Sequence, residues 1–105
     1  MTGRGPAPSL SPGTLVVAAR DQVSADLEGE AVILNLGDGV YYGLDGVGAR
    51  VWELLREPRS VDELAGAVAA EYHVDRDTAL ADLLALLGEL AGRGLVETSA
   101  GTPRG

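Results

Sequence analysis

The chain has 105 residues, 46% of them hydrophobic, enough for one domain with an apolar core. Sixteen acidic residues against eight basic ones, all arginine, give a formal net charge of -8, a surface that repels phosphate backbones and argues against nucleic acid as a partner. There is no cysteine, which excludes disulfides, thiolate nucleophiles and cysteine-ligated metals, and no apolar run approaches the roughly 20 residues that span a bilayer.

The acidic balance has two readings: it steers a basic partner towards the surface, or it only keeps a small domain soluble. The N-terminus lacks the charged-then-apolar plan of a secretion signal, so a cytoplasmic location is expected. Residues 1–14 (MTGRGPAPSLSPGT) are too rich in Gly, Pro and Ser to offset their ordering entropy and predict a disordered tail. Residues 98–105 predict another, leaving a folded unit over 15–97.

The first half of that unit has the rhythm of strands. Leu15 to Ala18 forms a short lead-in, and Gln22 to Leu27 alternates before Glu28-Gly29-Glu30 turns the chain. Ala31 to Leu36 (AVILNL) is the strongest strand, β-branched and apolar. Gly37-Asp38-Gly39 supplies a hairpin turn, and Val40 to Leu44 (VYYGL) returns. Alternation sets Val32, Leu34 and Leu36 on one face of their strand, and Val40, Tyr42 and Leu44 on one face of the next. A three-stranded antiparallel meander with one buried face follows. Tyr41 and Tyr42 point to opposite faces, with Tyr42 expected in the core and Tyr41 free for a partner. Gly43 either lets an incoming backbone approach or accommodates the bend into the next element.

The second half has the rhythm of helices. Asp45 is an N-cap for a helix carrying Val47, Val51, Trp52, Leu54 and Leu55, which Pro58 ends. Trp52 lies on the apolar stripe and is expected in the core. Ser60 and Glu63 have capping-box spacing ahead of Val61, Leu64, Ala65, Val68 and Ala69. Asp75 or Asp77 opens a third helix with the longest apolar stripe, Leu80, Leu83, Leu84, Leu87, Leu90 and Ala91. Ala79 and Leu86 lie off that stripe and widen it. Arg93 suits the negative end of the dipole, Gly94 stops the helix, and Leu95-Val96-Glu97 forms a last extended piece. Strands followed by helices make an α+β domain.

Nothing along the chain assembles catalytic chemistry. His73 is the only histidine and closes the second helix, where a surface histidine suits the dipole. Asp75, Asp77 and Asp82 imitate a metal cluster, yet two of them sit where helix caps belong and the spacing is not that of an EF-hand. Gly43-Leu44-Asp45-Gly46-Val47-Gly48 opens a helix after a strand but lacks the Lys-Ser/Thr of a phosphate loop. The chain therefore reads as a non-enzyme, with no cofactor and no metal.

Taken in order, Leu34-Asn35-Leu36, then Gly39-Val40-Tyr41-Tyr42-Gly43-Leu44-Asp45 and Val47-Gly48-Ala49-Arg50-Val51-Trp52-Glu53-Leu54-Leu55, resemble the PqqD-like family of recognition elements, in particular its stand-alone members that serve lasso-peptide biosynthesis. Ser60-Val61-Asp62-Glu63-Leu64 and Leu90-Ala91-Gly92-Arg93-Gly94-Leu95-Val96 fit its later helices. The resemblance implies a winged-helix-like fold that binds the leader segment of a ribosomally made precursor peptide as an added strand. Carried onto this chain, the receiving strand is Val40, Tyr41, Tyr42, Gly43 and Leu44. The facing helix wall draws on Asp82, Leu83, Leu86, Leu87 and Leu90. The implied partners are the precursor leader peptide, a separate transglutaminase-like cysteine protease acting as leader peptidase, and a cyclase. Two alternatives remain: a peptide chaperone of the same family serving another modifying enzyme, such as a radical-SAM protein, and a winged-helix DNA-binding domain. The latter needs arginine or lysine on the exposed face of the third helix, where this chain has Asp77, Asp82 and Glu89.

Overall fold

The structure, a computed structural model, describes residues 10–99. The expected meander is present. Strands β2 (Gln22–Leu27), β3 (Glu30–Asn35) and β4 (Tyr41–Asp45) form an antiparallel sheet in the order β2-β3-β4. Three helices follow, α1 (Gly46–Leu54), α2 (Val61–Tyr72) and α3 (Arg76–Gly92). A second sheet was not foreseen. In it β1 (Leu15–Ala18) lies between a two-residue strand, β5 (Arg59–Ser60), and β6 (Val96–Ser99), so β1 belongs to this sheet and does not lead into the meander.

β6 runs antiparallel to all of β1, from Ala18 opposite Val96 to Leu15 opposite Ser99. This places Thr98 and Ser99, expected in the C-terminal tail, inside a paired strand. Part of the N-terminal stretch is also ordered, because neighbouring α2 has unsatisfied N–H groups to offer. The Val61 N–H donates to the Thr14 carbonyl at 3.0 Å and the Asp62 N–H to the Pro12 carbonyl at 2.9 Å. Leu10 packs against the core. The tails expected over 1–9 and 100–105 lie outside the described residues.

β2 keeps its expected bounds, whereas β3 starts and ends one residue earlier and β4 one residue later than expected. Asn35 ends β3 by organising the turn: its side-chain oxygen accepts the Gly37 N–H at 2.8 Å and its backbone carbonyl accepts the Gly39 N–H at 2.8 Å. Leu36 and Val40 therefore fall in the turn and are exposed, instead of facing neighbours within the strands. The register pairs Ile33 with Tyr42 and Ala31 with Leu44, and these residues turn towards the helices. Val32 and Leu34 lie on the opposite, outer face, in rows with Ala25 and Val23 of β2. Ile33 is the meander's one large fully buried side chain.

α2 and α3 form as their caps predict. Ser60 and Glu63 make the reciprocal capping box of α2, and the Asp75 carboxylate accepts the Asp77 and Thr78 N–H groups at the start of α3. Asp45 occupies the N-cap of α1 without a side-chain bond, and Gly46, at φ +55°, turns the chain out of β4. Gly94, at φ +76°, ends α3 and lets Leu95 bury itself. The core is aliphatic: Val16, Ile33, Val51, Leu55, Val61, Leu64, Leu83, Leu87, Leu90 and Leu95, with Trp52 beside them. Across the α1–α2 contact, the Arg50 guanidinium donates two bonds to Glu71, 2.9 and 3.0 Å long, and one to Glu53 at 2.8 Å. That pairing holds the Glu71 carboxyl below its ordinary range and raises the pKa of Arg50.

Candidate functional site

β4 is the last strand of its sheet and pairs only with β3, because β6, which could have covered it, pairs with β1. Its far edge is open among the described residues. The hydrogen-bond pattern identifies which groups are on offer. The Asn35 N–H donates to the Val40 carbonyl at 3.0 Å, and antiparallel pairs alternate between bonded and non-bonded. Tyr42 and Leu44 therefore spend their N–H and C=O groups on β3, whereas those of Tyr41 and Gly43 face outward. An extended peptide needs such a row of unpaired groups in order to add as a strand.

Beside that edge runs a groove between β4 and α3. Its larger part, about 390 Å³, lies against Leu44, Val47, Tyr72, Val74, Asp82 and Leu86, with Ala79, Leu83 and Val68 beneath. A second part, about 220 Å³, continues past Tyr42, Gly43, Leu44, Leu86 and Leu90 to Glu89 and Arg93. Strand and helix run in opposite directions along it, so the Asp45 end of β4 faces Thr78 and Asp82 and the Tyr42 end faces Arg93. The walls are mainly apolar, and the charges sit at the ends. Asp45 and Asp82 are exposed at one end. At the other, the Arg93 guanidinium lies 5.0 Å from the centre of the Tyr42 ring and 3.4 Å from Glu89. Tyr42, more than Glu89, raises the pKa of Arg93. The Asn35 side-chain amide donates to the Arg93 carbonyl at 2.9 Å, tying the end of α3 to the hairpin.

Of the residues expected at the site, Tyr42, Gly43, Leu44, Asp82, Leu83, Leu86 and Leu90 do line this groove. Three do not. Val40 precedes β4, and its N–H donates to the Asp38 carboxylate at 2.9 Å. Tyr41 brings its backbone to the open edge but turns its ring, 67% exposed, to the outer face of the sheet. Leu87 is fully buried in the core, because one helical step from Leu86 rotates it inward. The groove also takes in Val47, Tyr72 and Val74, which the sequence pattern does not mark as site residues. All three are large apolar residues left exposed at 38–41%. A faint signal exists for the last two, which flank His73 in the break between α2 and α3, where a core offers no reason for them.

No group of three or more His, Cys, Asp or Glu side chains able to hold a metal occurs among the described residues. His73 is an exposed C-cap at φ +56°. No helix among the described residues is long and apolar enough to cross a membrane. The open edge and its groove thus define the class of protein: a small α+β recognition domain that offers backbone groups and apolar surface. Residues 30–96 match the family model described as coenzyme PQQ synthesis protein D (PqqD). The chain belongs to the PqqD family. Its fold is that of a recognition element for ribosomally synthesised and post-translationally modified peptides (RiPPs).

Three solved structures are similar to it. TbiB1, determined in complex with the TbiA(beta) leader peptide, is 43% identical with a TM-score of 0.73, over 77% of this chain and 94% of TbiB1. A lasso peptide synthetase B1 complexed with its leader peptide is 24% identical with a TM-score of 0.70, over 78% of this chain and 96% of the other. The PqqD portion of PqqCD from Methylobacterium extorquens, a stand-alone RiPP recognition element, is 22% identical with a TM-score of 0.71, over 85% and 95%. At their lower identity the last two bear on the fold alone. No curated relative matches the chain.

Proposed function

We propose that this protein binds the leader segment of a ribosomally synthesised precursor, a lasso-peptide precursor in the first place, and presents it to a separate leader peptidase. The leader adds as a strand to β4, bonding to the N–H and C=O groups of Tyr41 and Gly43. Its alternate side chains enter the groove against Leu44, Leu83, Leu86 and Leu90. The observation that carries this reading is the open β4 edge with an apolar groove beside it. The 43% identity to TbiB1, a protein that has been seen with a leader peptide, supports it.

Presentation needs a surface apart from the leader's, and the apolar outer face of the meander supports that reading. The outer face of the sheet carries Val23, Leu34 and Tyr41 in one row and Ala25, Val32 and Gly43 in the next. Val23 is 57% exposed, so β2 turns its apolar residues away from the core. A processing partner can cover that face while the leader occupies the groove behind it. The family resemblance implies a transglutaminase-like cysteine protease as that partner, a role this chain, without cysteine, does not fill itself. The family model, named for coenzyme PQQ synthesis, supports a second reading in which the same leader-binding edge serves another modifying enzyme. Asp77, Asp82 and Glu89, all exposed on α3, count against DNA binding.

The test is a fluorescence-polarisation titration of a labelled leader peptide, with amide exchange measured on the complex. Saturable binding with new protection at Tyr41 and Gly43 is expected. Failure to saturate at micromolar protein would sink the proposal.

A further inference from the structure

The groove is apolar along its walls, yet it contains one cation among the described residues. Arg93 is also held in place with unusual care for a residue just past the end of a helix. Its carbonyl is bonded by Asn35 at 2.9 Å, its guanidinium is stacked 5.0 Å from the Tyr42 ring centre, and Glu89 contacts it at 3.4 Å. The other arginines resolved with ion pairs, Arg50, Arg59 and Arg76, are bonded to residues away from the groove. A long side chain normally loses rotamer freedom when it binds an anion. Here the Tyr42 ring and Glu89 have already imposed part of that loss, and the Asn35 bond fixes the backbone that carries the side chain, so the guanidinium stands ready at the Tyr42 end of the groove. Its side chain is still 47% exposed, and Glu89, itself 63% exposed, holds it at the long limit of a hydrogen bond.

We propose that Arg93 is a specificity-determining residue that pairs with a carboxylate on the guest peptide, and so sets the register in which the guest lies along β4. This rests on the leader-binding reading above and deepens it. A strand's side chains alternate, so those entering the groove are separated by an even number of positions. The carboxylate-bearing residue therefore stands two positions from the side chain lodged beside Leu44, because Tyr42 stands two positions from Leu44. A slip of one position turns the acid away from Arg93 and every groove side chain outward with it. Backbone pairing alone tolerates such a slip, whereas an ion pair at one end of an apolar groove does not.

The test uses a phage-displayed library of random linear peptides, selected against the wild-type protein, Arg93→Glu and Arg93→Gln. Each variant is first checked for a native melting transition, and Arg93→Gln stands in if the charge reversal fails to fold. Peptides that protect the Tyr41 and Gly43 amides are retained as edge binders and sequenced. For the wild type, Asp or Glu is expected at one fixed position, two from a conserved apolar residue, with affinity up to about fivefold above the Asn or Gln version, as suits a partly exposed ion pair. Arg93→Gln should lose the preference and Arg93→Glu should replace it with Lys or Arg at the same position. A purely structural role for Arg93 would lower the melting temperature without moving the selected position. Edge binders that show no acidic preference, or keep it with Arg93→Glu, overturn the inference while leaving strand addition intact. If no peptide protects the β4 edge, the leader-binding reading itself fails and takes this one with it.

Discussion

Substituting proline at Gly43 separates the open edge of β4 from the rest of the fold. The register directs the Gly43 N–H away from β3, so its loss removes no bond from the sheet. Proline is tolerated in an edge strand where its missing N–H would face solvent. A Cβ added at Gly43 meets nothing within 4 Å, and Gly43 does not adopt a positive φ. The folded protein therefore changes stability little, by about 1 kcal/mol or less, from the restricted φ set against the lower entropy of the unfolded chain. A guest strand loses a ladder bond: its carbonyl, left without a donor, costs about 1–3 kcal/mol, or roughly fivefold or more in Kd. Fluorescence polarisation with a labelled leader peptide measures the affinity, and urea denaturation measures stability. Leu44→Pro is the contrast, since it removes a bond within the sheet and clashes where the chain is paired, so it should unfold the meander. Gly43→Pro with native stability and a Kd within twofold of wild type would show that the guest does not pair with this edge.

The neighbouring leucines of α3 should divide the two roles. Leu87→Ala, in the core at 0% exposure, is expected to cost about 2–5 kcal/mol in urea denaturation, whereas Leu86→Ala lowers leader affinity with a smaller loss of stability. Asn35→Ala breaks the bonds to Gly37 and Arg93, and about 1–3 kcal/mol of stability should go with them, read as a lower urea midpoint. Leu34→Lys, on the outer face, should leave leader affinity unchanged but slow leader removal when the peptidase is added; equal cleavage rates would exclude that face. Glu71 has its folded-state pKa lowered below the ordinary 4.5 by Arg50. Its stabilising contribution is thus present above that value and lost as the pH falls through the folded-state pKa. The stability gap between wild type and Glu71→Gln should therefore narrow as urea titrations move below pH 4.5.

The amino-acid order alone was enough to determine the meander and the three helices, but not β5 or the full extent of β6. The capping box at Ser60 and Glu63, the Asp75 cap, the glycine after Arg93 and the strand-turn-strand pattern around Gly37 to Gly39 are all short-range signals, and each appears where its chemistry required. The resemblance carried by the string from Leu34 to Leu55 pointed to the family without any coordinates. Alternation correctly kept Val32 with Leu34, but it could not say which face meets the helices, because both faces of β3 are apolar. The packing of Ile33 and Tyr42 against the helices made that choice. Nor could spacing tell Leu86 from Leu87 on a helix so rich in leucine. The groove joins β4, α2 and α3, and its opening depends on β6 pairing with β1, about eighty positions earlier. Contacts between residues so far apart leave no periodic trace along the chain, so only the assembled fold decides which edge stays open.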